Sequence, residues 1–257
     1  MSQPKQPPTL LLAPGSWHTP TSLIYLQTAL QKAGYPTQTI AHPTNGADPP
    51  TKTLIDDTTN FRHTLAHLIE REGKDVILIA HSYGGLVISN AAEGFGKKDR
   101  AKQGQQGGIV LMVYMTAFLV PKGKSLFEAL GEYRPANMVL DGSYCHATSA
   151  KESFYHDLSP EVLAEAEAQL THTCIGAYTE SVNYEPWRDI PCAYIFCEED
   201  RALGLPVQEM LVEMMRGSAP FPILTRRLRA SHSPFYSMPV ETAEAIRYFV
   251  REVEGVE

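Results

Sequence analysis

Asp75-Val76-Ile77-Leu78-Ile79-Ala80-His81-Ser82-Tyr83-Gly84-Gly85 is the stretch that decides the fold. After its opening aspartate, residues 76–80 are apolar without alternation, as a strand buried on both faces of a parallel sheet must be. Ser82 follows directly, and a helix is expected from Tyr83 to about Glu93. A serine on so sharp a strand-to-helix turn needs small neighbours two positions to either side, and Ala80 and Gly84 qualify. In that context the serine reads as a raised nucleophile rather than as a helix cap.

Outward from this turn, strands alternate with helices. Thr9–Ala13 is a short apolar strand ending at Pro14-Gly15, and Thr37–Ala41 is a second strand. Helices are expected over Ser22–Ala33, stopped by Gly34, and over Thr53–Arg71, closed by Gly73. Further strands are expected at Gly108–Phe118, Cys192–Cys197 and Ile223–Leu228, with a closing amphipathic helix at Val240–Val253. Repeated βαβ units imply an α/β fold with a mostly parallel sheet covered by helices on both faces. Gly94–Gly108, rich in Gly, Lys and Gln, reads as a solvated loop. Residues 121–190 break the rhythm: no core strand is evident, Ser159–Leu170 is the clearest helix, and aromatics abound. These are Phe127, Tyr133, Tyr144, Phe154, Tyr155, Tyr178, Tyr184 and Trp187. The segment reads as a helical cap inserted into one domain spanning 1–257, and its aromatics predict a mainly apolar pocket over Ser82.

Composition narrows the function classes. An apolar fraction of 43% and a charged fraction of 20% are those of an ordinary globular protein. A net charge of −7 provides no footprint for nucleic acid. The polar, proline-rich start lacks the pattern of a secretory signal, and the longest apolar run, Ile109–Val120, is too short to span a bilayer. The four cysteines, Cys145, Cys174, Cys192 and Cys197, have neither C-x-x-C nor zinc-like spacing. Free thiols in a reducing cytoplasm, with no metal, no cofactor and a small-molecule substrate, are the expectation. Nothing in the sequence specifies an oligomer.

A serine hydroxyl is a weak nucleophile until a base takes its proton and a third group orients that base. The last histidine, His232, lies between the final strand and the final helix, in Ser231-His232-Ser233-Pro234-Phe235. An acid is expected after the preceding strand, where Glu198, Glu199 and Asp200 stand together. Acyl transfer also builds negative charge on the substrate oxygen, which backbone N–H groups must meet. The Tyr83 amide, at the start of a helix, is one expected donor. The Ser16 amide, in the turn Pro14-Gly15-Ser16-Trp17-His18, is the other.

These stretches, together with Ala117-Phe118-Leu119-Val120-Pro121, Trp187-Arg188-Asp189-Ile190-Pro191 and Glu199-Asp200-Arg201-Ala202, resemble a branch of the α/β-hydrolase superfamily. That esterase-like branch includes plant methyl esterases, hydroxynitrile lyases and their microbial and fungal relatives. The resemblance spans nearly the whole chain except the cap. It implies that the aspartate before Arg-Ala, Asp200, is the catalytic acid. Two departures stand out: Ala80 replaces the first glycine of G-x-S-x-G, and Pro14 replaces a histidine common in relatives. In cyanohydrin-cleaving members a lysine follows the catalytic histidine; here Ser233 stands there, which favours hydrolysis.

The expected activity is therefore hydrolysis of an ester, thioester or lactone of a small, fairly apolar acyl compound through an acyl-enzyme. Ser82, His232 and Asp200 would be catalytic, Ser16 and Tyr83 would form the oxyanion hole, and Trp17 and His18 would border the substrate. The rivals are a non-hydrolytic lyase or cyclase and a catalytically silent receptor. His81 is assigned to packing. His63 and His67, one helical turn apart, read as a solvated face rather than a metal clasp. Gly94-Phe95-Gly96-Lys97-Lys98 lacks the spacing of a phosphate loop.

Overall fold

The computed structural model describes residues 6–131 and 137–255. Its strands are β1 (Thr9–Ala13), β2 (Thr37–Thr39), β3 (Asp75–His81), β4 (Gly108–Met115), β5 (Met138–Asp141), β6 (Tyr144–Ala147), β7 (Thr173–Cys174), β8 (Cys192–Cys197) and β9 (Leu224–Leu228). Six of them form one parallel sheet in the order β2-β1-β3-β4-β8-β9. The unbroken apolar runs of β1 and β3 are buried along almost their whole length. Between β1 and β3 the winding reverses direction, and the carboxyl ends of strands at such a switch point open a crevice.

The helices are α1 (Ile24–Lys32), α2 (Leu54–Ala66), α3 (Gly84–Ala91), α4 (Lys97–Lys102), α5 (Leu126–Leu130), α6 (Ala150–Phe154), α7 (Pro160–Ala168), α8 (Gly176–Thr179), α9 (Leu205–Arg216), α10 (Pro234–Ser237) and α11 (Pro239–Glu254). Helix α1 packs on α11 and α2 on α3, which makes the layers flanking the sheet. Thr53 starts α2 through a reciprocal capping box with Asp56, and Pro239 opens α11 at a position where no donor is missed. The expected helix over Thr53–Arg71 ends in a π-helical turn, His67–Arg71. His63 and His67 are exposed on it.

Three elements depart from expectation. The supposed loop 94–108 contains α4, because its charges lie outward while Phe95 and the Arg100 stem are buried. Arg100 donates to the carbonyls of Gly107 and Gln106, which ties the segment to the start of β4. Helix α9 was not anticipated at all. The described residues of 121–190 add no strand to the main sheet and hold α5 to α8, yet they also build an antiparallel sheet, β5-β6-β7. Its strands have four residues or fewer, too short for an alternating pattern to register. Tyr133, one of the expected cap aromatics, lies outside the described residues.

Candidate active site

Ser82 leaves β3 with φ = 51°, a left-handed conformation that costs a non-glycine residue about 1–2 kcal/mol. Its amide donates to the Met115 carbonyl (3.3 Å), and its own carbonyl accepts from Gly85 (3.0 Å) and Phe118 (3.1 Å). The turn is over-determined by these bonds. It also demands glycine where helix α3 begins. A Cβ on Gly84 would lie 2.6 Å from the Pro14 carbonyl oxygen, and one on Gly85 would lie 2.3 Å from that of Phe118. Gly15 is needed for close approach, since a Cβ there would meet His81 Nδ1 at 2.8 Å and Ser82 Cβ at 3.1 Å. Trp17 (φ = 65°) and Thr116 (φ = 40°) carry the same kind of strain just past β1 and β4. Strain thus gathers at the carboxyl edge of the sheet, where functional sites tend to hold it.

His232 and Asp200 arrive at this edge from the ends of β9 and β8. Asp200 Oδ2 accepts from His232 Nδ1 at 2.7 Å, with both side chains buried. The carboxylate is held from every side. Its Oδ1 accepts the amides of Ala202 (2.7 Å) and Leu203 (2.8 Å), while Oδ2 also accepts from the Thr116 hydroxyl and Gln208 Nε2 (3.3 Å). Gln208 spans Asp200, the Leu203 carbonyl (2.6 Å) and both backbone groups of Cys197 (3.0 Å each). Thr116 and Gln208 were missed at the level of sequence. Gln208 did leave a signal: it stands three, four and seven residues before Leu211, Val212 and Met215, on the buried face of α9.

Three further histidines surround Ser82. His81 donates through Nε2 to the His232 carbonyl (2.9 Å), and burial pushes its basicity well below the ordinary range. His42 bonds the Pro14 carbonyl through Nε2 (2.9 Å) and is likewise lowered by burial. His18, expected at the substrate, places Nδ1 on the Ser16 carbonyl (2.7 Å) and Nε2 on the Tyr155 hydroxyl (2.9 Å). Burial lowers its pKa to about 4, so it is a neutral strut at physiological pH. Below Ser82, the Tyr83 hydroxyl donates to Asp57 (2.7 Å), which also accepts the Thr44 amide (2.8 Å) and hydroxyl (2.6 Å). Tyr83 is thereby fixed from its far end, while its amide and that of Ser16 donate to no acceptor among the described residues.

Ser16, Trp17, Ser82, Phe154, Tyr178 and His232 border one cavity, closed further by Phe118, Leu126, Leu130, Asn137, Met138, Ala202 and Leu203. Trp17 is locked there, its amide on Thr173 Oγ1 (2.8 Å) and its indole N–H on the Cys145 carbonyl (3.0 Å). His18 and Asp200 stay behind this wall. Of the expected aromatics, Phe154 and Tyr178 reach the cavity; Trp187 and Tyr184 instead bond Ser218 and Asp189. The cavity has a volume of about 30 Å³, room for a water and too little for an ester. Among the described residues no group of three His, Cys, Asp or Glu side chains is placed to hold a metal, and the four cysteines are free and buried. No described helix is long and apolar enough to cross a membrane.

Residues 10–245 match the model of the alpha/beta hydrolase family. The chain is similar to an alpha/beta hydrolase of Aspergillus novofumigatus, 28% identical over 93% of this chain and 95% of that one. It is also similar to the polyneuridine aldehyde esterase of Rauvolfia serpentina, 24% identical over 86% of this chain and 87% of that one. Among solved structures, a pyrethroid hydrolase from Sphingobium faniae superposes with a TM-score of 0.74 at 22% identity, over 94% of this chain and 96% of that one. The chain is thus similar in sequence to fungal and plant hydrolases and shares its fold with a bacterial one.

Proposed function

The chain belongs to the alpha/beta hydrolase family, and on that premise we propose that it is a serine esterase-type hydrolase working through an acyl-enzyme. The observation that carries the reading is the buried 2.7 Å His232–Asp200 pair, with His232 bordering the same cavity as the strained Ser82. In this mechanism Ser82 Oγ attacks a carbonyl carbon and its proton passes to His232 Nε2. Asp200 keeps the imidazole in the tautomer with hydrogen on Nδ1 and stabilises the charge it acquires. The amides of Ser16 and Tyr83 receive the oxyanion. His232 then returns the proton to the leaving oxygen or sulfur, and a water activated by the same imidazole releases the acid.

The substrate class is a small, uncharged, fairly apolar ester, thioester or lactone, because carbon-rich side chains dominate the cavity wall. Residues 121–190 act as the cap, supplying Leu126, Leu130, Met138, Phe154 and Tyr178, and open to admit substrate. One domain with this insertion, in a reducing cytoplasm suited to free thiols, completes the reading. Incubation with a fluorophosphonate probe followed by peptide mapping tests it. Covalent label on Ser82, absent from Ser82→Ala, is the expected result; folded wild-type protein that stays unlabelled there overturns it.

A further inference from the structure

The hydroxyl of Tyr178 stands at the cavity without a use in the protein's own hydrogen bonding among the described residues. Its ring is held on α8, stacked on Phe127 at 5.3 Å and edge-on to Tyr83 at 5.8 Å. The oxygen is buried, yet it has no hydrogen-bond partner among the described residues. Ser16, Thr173 and Cys145 lie around it, none in bonding geometry. Thr173 is already committed: its hydroxyl donates to Asn45 Oδ1 (2.6 Å) and accepts the Trp17 amide (2.8 Å). A buried hydroxyl without a partner is destabilising, and phenylalanine would fill the same space without that cost. Tyr178 also borders the cavity beside Ser16, Ser82 and His232.

We propose that Tyr178 is a specificity-determining residue whose hydroxyl donates to a second oxygen of the substrate, selecting uncharged acyl compounds with a carbonyl, ether or hydroxyl oxygen close to the reacting carbonyl. The placement follows from its neighbours. Tyr178 touches the residues on both sides of the expected oxyanion position, Ser16 and Tyr83, so the second oxygen belongs on the acyl side. Among the described residues no lysine, arginine or carboxylate lines the cavity, so the proposal takes an uncharged group as the acceptor. Burial raises the phenol well above its ordinary range, so it remains a donor at any working pH. The proposal deepens the esterase reading and takes its reacting carbonyl from it.

Binding separates the two. Methyl pentanoate and three oxygenated counterparts of like size, methyl 3-methoxypropanoate, methyl ethoxyacetate and methyl 3-oxopentanoate, are titrated into Ser82→Ala protein by ligand-observed NMR. The same is done with the Ser82→Ala/Tyr178→Phe double variant. At least one oxygenated ester is expected to bind about tenfold more tightly than methyl pentanoate, the size of one hydrogen bond, and the double variant loses that preference. Tyr178→Phe alone keeps or raises the melting temperature. Equal or weaker binding of every oxygenated ester, a preference that survives in the double variant, or a melting temperature lowered by several degrees each overturns the proposal. A preference that behaves as expected while folded wild-type protein takes no fluorophosphonate label at Ser82 upholds the Tyr178 contact and removes the esterase reading instead.

Discussion

Acid should weaken this fold through His18, and the size of the effect follows from its burial. The folded protein holds His18 at a pKa of about 4, against 6.5 for an ordinary histidine, chiefly because burial disfavours the charged imidazole. Below pH 6.5 the unfolded chain binds a proton that the folded chain refuses, so stability rises with pH across this window. The contribution of neutral His18 is complete above pH 6.5 and is lost as pH falls toward 4. Between pH 7 and pH 5 that loss amounts to about 2 kcal/mol. His42 and His81 act with the same sign, because burial lowers both. Asp57 opposes them: burial raises its carboxyl, so its folded form takes up a proton first and gains stability in acid.

The perturbation that isolates His18 is His18→Gln, which can still donate to the Ser16 carbonyl and pair with Tyr155 but cannot take a charge. Urea unfolding followed by circular dichroism at pH 7 and pH 5 gives the stability of each protein at each pH. The variant is expected to lose about 2 kcal/mol less than wild type between them, whatever its absolute stability. Equal losses in the two proteins would refute the reasoning. So would an NMR titration in which the His18 ring protonates near its ordinary pKa in the folded state.

Other consequences follow from the same geometry. Gln208→Leu leaves the Leu203 carbonyl and the Cys197 amide without their partner and the Cys197 carbonyl with only the Asp200 amide at 3.4 Å, so chemical denaturation should show a loss of about 2–4 kcal/mol. The kcat for 4-nitrophenyl pentanoate should fall with it, because Asp200 loses a donor. Gly84→Ala drives a methyl to within 2.7 Å of the Ala13 and Pro14 carbonyl oxygens, and should lower the unfolding free energy by about 3 kcal/mol or more. Asp200→Asn preserves shape but favours the wrong tautomer of His232; its kcat should fall about 10⁴-fold with KM little changed, as triads on other folds behave. A loss under tenfold would remove Asp200 from the mechanism.

What the sequence disclosed, it disclosed through patterns that burial enforces locally. The continuous apolar run of β3, the small residues around Ser82 and the strand-then-helix order each answer to a constraint within a few residues. The parallel sheet could be read from them. Thr116 and Gln208 answer to a constraint across 84 and 8 residues, the hydrogen-bonding needs of Asp200, and no short window contains that pairing. Helix α4 hid because its outward charges and flanking glycines look like a loop, and only Phe95 and the Arg100 stem turn inward. His18 shows the converse. Its place beside the oxyanion turn suggested substrate contact, whereas the fold consumes both its nitrogens.

The clustered histidines differ in how well each would serve as the proposed base. Four imidazoles crowd the end of β3: His18 stands 5.3 Å from His81 by ring centroid, and His81 stands 4.6 Å from His232. A general base needs one nitrogen free toward the nucleophile and the other tied to something that welcomes positive charge. His18 has neither nitrogen free, and its bond to a neutral phenol offers no compensation for charge. His42 and His81 each spend Nε2 on a backbone carbonyl and leave a buried Nδ1 without a hydrogen-bond partner among the described residues, and burial outweighs the pull of Asp57 on His42. His232 alone faces a carboxylate with Nδ1 while bordering the Ser82 cavity. The other three fit a different purpose. Neutral, buried and bonded to the carbonyls of Pro14, Ser16 and His232, they brace the turn after β1 and the loop that carries His232 without adding positive charge that would disfavour a His232 imidazolium.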